Sequence, residues 1–202
     1  ERAQPSLRRS FGLLGEPPVA LAIAASALNA FGNEKIFTFL PLLIVAKGFD
    51  PSIIGTFAVG FSVGSFLGKL ACGRLLDQFG ARVVFVAAEA LLSVLLVFLV
   101  LAESLPMIIG AAFLIGILTK GTVPVMQAVI TIPFQKIGEY DEIFSLNSFL
   151  RGVITMGTPL LFGWLASLWN VGVVYLLMAV ASLCSVVPLL FFDEALQVER
   201  SR

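Results

Sequence analysis

The chain has no histidine, only two cysteines and few charges, and each shortage closes off some chemistry. Without imidazole there can be no His-ligated metal or haem and no Ser-His or Cys-His nucleophile pair. Cys72 and Cys184 lie inside apolar runs, where they read as small core residues rather than a disulfide or a metal pair. Charged residues make up 13% of the 202, about half the share usual in a soluble domain. Thirteen Lys and Arg balance thirteen Asp and Glu, so net charge points to no partner. What fills the chain instead is apolar: 58% hydrophobic residues and a mean hydropathy of +1.00, which suits a bilayer and not water. Disorder, a nucleic-acid module and a disulfide-built secreted domain are thereby excluded. The first sixteen residues are polar and basic, so no cleavable signal peptide is expected. The chain begins at Glu1 without an initiator Met and is read as processed, or as a segment of something longer.

A helix needs about 20 apolar residues to cross the hydrocarbon core. Six segments qualify, at about 18–46, 52–76, 83–102, 106–133, 143–167 and 171–192. The breaks carry turn residues: Gly48 and Pro51, Gly80, Pro106, the polar stretch from Gln135 to Glu142, and Asn170. The runs are continuously apolar rather than alternating, which excludes a β-barrel. The expected fold class is an all-α membrane protein with six transmembrane helices. Short connections make neighbouring spans alternate in direction, so loop charges report orientation. Arg2, Arg8, Arg9, Arg74, Arg82, Lys136, Arg200 and Arg202 fall on one side and Lys47 alone on the other. The positive-inside rule then places both termini in the cytoplasm, with the cell (inner) membrane as the expected location.

The second loop reads Gly73-Arg74-Leu75-Leu76-Asp77-Gln78-Phe79-Gly80-Ala81-Arg82. Gly80 permits a tight turn, and Asp77 can accept from a helix N-terminus or pair with Arg82. With Gly73, Asp77, Gly80 and Arg82 at these positions, the loop resembles the signature of the major facilitator superfamily between the second and third helices of a six-helix half. Gln78 stands where a basic residue is usual, and the Arg after Gly80 is displaced by one, to Arg82. Phe39 to Leu43, then Gly48 to Pro51 and Ile54-Gly55, look like the first helix and outer loop of such a half. Leu7 to Ser10 followed by Glu16-Pro17-Pro18 resemble the central cytoplasmic linker. Span four lacks the Arg that first halves often carry, and Gly152, Gly157, Pro159 and Gly163 echo the antiporter pattern only loosely.

The resemblance implies the carboxyl-terminal half of a twelve-helix carrier. Residues 1–16 would be the cytoplasmic linker, 17–192 the six-helix bundle and 193–202 a cytoplasmic tail. It implies two inverted three-helix repeats, with a solute site at the midplane against a second half. That half would lie in the same chain, in another chain or in a second copy. It further implies a secondary transporter working by alternating access, coupled to a proton or other ion, without a cofactor, and with drug or metabolite efflux mildly favoured.

Charges at bilayer depth sharpen this reading, because each costs roughly 2.5–3.5 kcal/mol on insertion scales. They are Glu34 and Lys35 in span one, Lys69 in span two, Glu89 in span three, Lys120 in span four and Arg151 in span five. Lys120, Pro124, Gln127 and Thr131 form one stripe. Asn147, Arg151, Thr155 and Thr158 form another within about 80°. Lys35 points about 100° from Glu34, so each needs a partner on another helix. Glu34 is the candidate for loading and releasing a proton, with the alternative that it is locked to Lys120 or Arg151. Glu34, Lys35, Lys120, Gln127, Asn147 and Arg151 are the expected solute or ion ligands. Glu89 is expected to make a buried structural hydrogen bond, and Lys69 either snorkels or lines the cavity. The cationic surplus on the cavity helices suggests an anionic or zwitterionic solute.

Span two places Gly60, Gly64 and Gly68 every fourth residue, a stripe that lets another helix approach closely. Gly121, Pro124, Gly157 and Pro159 mark possible bends. A rival reading is a non-transporting assembly factor or receptor subunit on the same fold, which six intramembrane charges argue against. An enzyme is not expected. No Ser-His pair can form, no pair of intramembrane aspartates exists, and no nucleotide-binding loop is present.

Overall fold

The computed structural model describes residues 11–131 and 140–191, all helices and connecting turns. After a 3-10 turn at Leu13–Gly15, α1 runs Pro17–Asn33 and α2 Ile36–Ala46. Next come α3 (Ile54–Leu101), α4 (Leu105–Thr131), α5 (Tyr140–Leu168) and α6 (Val171–Leu190). Among the described residues, four helical segments are long and apolar enough to cross a membrane: Pro51–Leu101, Leu105–Thr131, Tyr140–Leu168 and Val171–Leu190. The expected linker falls largely, and the tail entirely, outside the described residues, as do Lys136 and the terminal arginines.

Local chemistry sets the helix ends. Pro17 opens α1, where a missing N–H is harmless. The Asn170 side chain accepts from Val173 N at 3.1 Å and caps α6. The expected first span is divided at Glu34 and Lys35, which form a turn between α1 and α2. Just beyond, Pro41 sits inside α2, and Tyr175 Oη donates to the carbonyl of Ile36 at 2.7 Å.

The second loop is largely helical. Asp77, Gln78 and Phe79 continue the first arm of α3, and the interruption is confined to Gly80, at φ 78 and ψ 161. That left-handed backbone suits glycine because it carries no Cβ. The chain doubles back there. Phe57 and Phe61 near the start of α3 share a core cluster with Leu92, Leu96 and Leu99 near its end.

Lys47 closes the far end of this hairpin. Its Nζ donates to the carbonyls of Val100 and Ala102, both at 2.7 Å, where the last turn of α3 leaves carbonyls without helical partners. Replacing Lys47 with Met should lower stability by about 1–2 kcal/mol, because two charge-assisted bonds disappear. Thermal unfolding in detergent checks this, and Lys47→Arg, which keeps a charged donor, should recover most of the loss.

The interior has three layers. One apolar cluster gathers Leu40, Ile44, Phe57, Leu96, Ile108, Phe162 and Tyr175. The other gathers Val19, Ile23, Phe85, Val125, Ile143 and Leu189. Between them nearly every helix contributes its buried polar residues: Ser26, Asn29 and Asn33 from α1, Glu89 from α3, Thr119 and Thr122 from α4, Asn147 from α5, Ser182 and Ser185 from α6. The helices are thus apolar at both ends and polar in the middle, which places a polar belt across the bundle.

Candidate functional site

Within this belt a cavity of about 270 Å³ lies between α1, α4 and α5. Its polar lining is Asn29, Glu34, Gln127, Asn147, Ser148 and Arg151. Arg151 is held from several directions. Nη2 donates to Glu34 Oε1 at 2.6 Å, forming a salt bridge. Nη1 donates to the Ser26 carbonyl at 3.1 Å, to Ser26 Oγ at 3.0 Å and to Asn29 Oδ1 at 3.3 Å. The planar guanidinium can meet several acceptors in fixed directions, which an ammonium cannot. Its position at the end of α1, beside Glu34, also compensates a carboxylate placed at the negative pole of that helix.

Asn147 stands one helical turn before Arg151 on the same face of α5. It is 6% exposed, and its Oδ1 has no hydrogen-bond partner among the described residues. An orphaned buried acceptor costs roughly 1–3 kcal/mol, and this one stands beside the cavity. The remaining polar groups of that stripe turn inward on their own helix. Thr155 Oγ1 donates to the Gly152 carbonyl and Thr158 Oγ1 to the Ile154 carbonyl.

Of the residues expected to form the site, Glu34, Gln127, Asn147 and Arg151 come together around the cavity. Lys35 and Lys120 are partly buried but lie outside its lining. Lys69 is exposed. Glu34 takes Arg151 as its partner, not Lys120. In the second loop, Arg82 Nη2 donates to the Leu190 carbonyl at 3.0 Å, tying the turn to the end of α6. Asp77 is exposed. The small-residue stripe packs inside the bundle. Gly64 and Gly68 lie against the backbone of α4 at Phe113 and Ile117, while Gly60 has more room.

The sequence reading assigns no role to Ser26, Asn29, Asn33 and Ser182, of which Asn29 lines the cavity, while Glu89 makes the buried hydrogen bonds expected of it. Glu89 is wholly buried. Its Oε1 accepts from Asn29 Nδ2 at 2.8 Å and from Asn33 Nδ2 at 2.9 Å. Its Oε2 accepts from Asn33 Nδ2 at 3.1 Å and from Ser182 Oγ. A buried carboxyl demands such satisfaction. The signal was present in α1, where Ser26, Asn29 and Asn33 recur at i, i+3 and i+7 in an otherwise apolar helix. A family model described as Major Facilitator Superfamily matches residues 22–202. No curated protein matches the chain.

Proposed function

The chain belongs to the major facilitator superfamily of secondary membrane transporters, and on that premise we propose that the α1–α4–α5 cavity is a solute path worked by alternating access. The protein is an integral membrane protein. We take its membrane topology to be six spans, with α1 and α2 crossing as one broken span and α3 as two arms turning at Gly80. The two arms together hold 48 residues, more than twice the ~20 a single crossing requires. Two inverted repeats and cytoplasmic termini accompany this topology. A second six-helix bundle packs on the face of α5 that leaves Val153, Met156, Leu160 and Trp164 exposed, on the side of the helix away from Asn147 and Arg151.

The observation that carries solute binding is Asn147, a buried amide oxygen left without a donor at the edge of a polar cavity. The solute is small and either zwitterionic or anionic. The mutual neutralisation of Glu34 and Arg151 favours the zwitterion, whose two charges can replace each partner in turn. When α1 and α5 part, Glu34 loses its Arg151 counter-charge at bilayer depth, and we assign to this step the coupling to a proton or other ion.

Reconstitution tests this. Proteoliposomes carrying the chain with its natural sequence context are expected to accumulate at least one member of a panel of small zwitterions and anions under an imposed pH gradient. Accumulation should collapse with a protonophore. Absence of flux and counterflow across the panel, with a stoichiometric protein partner on purification, would instead favour the assembly-factor or receptor reading.

A further inference from the structure

Asn29 joins two groups that do not touch. Its Nδ2 donates to Glu89 Oε1 at 2.8 Å, and its Oδ1 accepts from Arg151 Nη1 at 3.3 Å. The amide has only two ends, and the neighbours dictate which faces which. Glu89 Oε1 accepts from two amide NH₂ groups, those of Asn29 and Asn33, and a guanidinium only donates. With the amide turned over, Asn29 would present its oxygen to Glu89 and its NH₂ to Arg151, losing both bonds and facing like against like. Glu89 therefore selects the orientation of Asn29 that offers Arg151 an acceptor.

Glu89 is itself held in place. Asn33 Nδ2 donates to both of its oxygens, and Ser182 Oγ donates to Oε2. Ser182 Oγ also lies 3.3 Å from Asn33 Oδ1. The groups hydrogen-bonded to Glu89, Asn29 and Asn33 of α1 and Ser182 of α6, are all neutral, and Asn29 links it to the charge of Arg151 on α5. The carboxyl has no role at the cavity wall, where it contributes no surface.

We infer that Glu89 is a positioning residue for Arg151, acting through Asn29, so that the second arm of α3 governs how Arg151 grips Glu34. The geometry is independent of transport. Its functional meaning, control of the ion pair that gates the cavity, rests on the carrier reading above. A shift of the α3 arm against α1 disturbs Glu89 first, then the Asn29 amide, then the guanidinium. A helix outside the cavity wall thereby reports its position to the ligand-facing charge.

The test is chemical reactivity of Arg151 in the full chain in nanodiscs, with phenylglyoxal as probe and peptide mass mapping as readout. No substrate is needed, so failure of this inference and failure of the transport reading are separately visible. In Glu89→Gln, whose amide can donate to Asn29 and no longer fixes its orientation, Arg151 labelling should rise about fivefold, the loss of one ordinary hydrogen bond. Labelling of Arg82, at the far turn, should not move. Asn29→Leu should raise Arg151 labelling by a similar factor, and the double variant should match either single one. Glu89→Asp, still acceptor-only, should return labelling toward the unsubstituted rate in the Asn29 chain and change nothing in Asn29→Leu. That comparison serves alone where Glu89→Gln does not fold. Arg151 labelling within twofold of the unsubstituted chain in Glu89→Gln, or additive effects in the double variant, overturns the inference.

Discussion

Arg151→Gln is expected to reduce solute flux in proteoliposomes to about a hundredth of the unsubstituted rate, equivalent to roughly 2.7 kcal/mol. The guanidinium makes four contacts from one side chain: to Glu34, to the carbonyl and hydroxyl of Ser26, and to Asn29. Its removal strands Glu34 in the polar belt with no counter-charge. Breaking a buried pair costs 3–5 kcal/mol. Here Arg151 is 23% and Glu34 34% exposed, so water screens part of that loss and the lower figure applies. Arg151→Lys should recover only part of the flux, since an ammonium cannot reach Glu34 and Ser26 in the same fixed fork. The double variant Glu34→Gln, Arg151→Gln separates structure from transport. With both charges gone, thermal stability should return to near that of the unsubstituted chain while flux stays lost. Flux in Arg151→Gln comparable to the unsubstituted protein would remove the ion pair from the mechanism.

The largest expected effect on folding comes from the contact between the first arm of α3 and α4. A Cβ placed on Gly68 would run into the carbonyl oxygen of Ile117, with the carbonyl carbon and Cα of that residue at 2.7 Å. Gly64 meets the Phe113 carbonyl in the same way, and from the other side Gly116 meets that of Phe61. These obstacles are backbone, so no rotamer change relieves them and the helices must separate. In a bilayer, close approach at small residues is a main source of helix association. Gly68→Leu should therefore cost about 3 kcal/mol or more, at the upper end of overpacking effects. Gly60→Ala is the matched control. Its added methyl meets only Ile109 Cγ2, at 3.9 Å, and the thermal midpoint in detergent should stay within about 0.5 kcal/mol equivalent. Equal tolerance at both positions would show that the stripe does not set the helix spacing.

Much of the fold was legible because its signals are local. Gly80 declared a turn through the one residue type that tolerates its backbone angles, and Asn170 declared a helix start. The division at Glu34 and Lys35 was not legible, because a run of apolar residues on both sides reads as one uninterrupted span. Helix through Asp77 to Phe79 was missed for the opposite reason: polar residues suggest a loop, yet at the end of a span they simply extend the helix into a wetter region.

The candidate site divides in the same way. That Glu34, Asn147 and Arg151 sit inside apolar segments is a property of sequence alone, since composition within about 20 residues decides whether a segment crosses a bilayer. The choice of Arg151 over Lys120 as the partner of Glu34 is not such a property, because the two residues are 117 positions apart. Nor is the convergence of Glu89 with Asn29 and Asn33, which are 60 and 56 positions away. Helix rotation and packing set those pairings. Periodicity ranks the residues on one helix face but says nothing about which neighbouring face it meets. Composition and local motifs settle the solvent, the break at Gly80 and the family, whereas packing settles which buried charges become partners, because that depends on which helix faces it brings together.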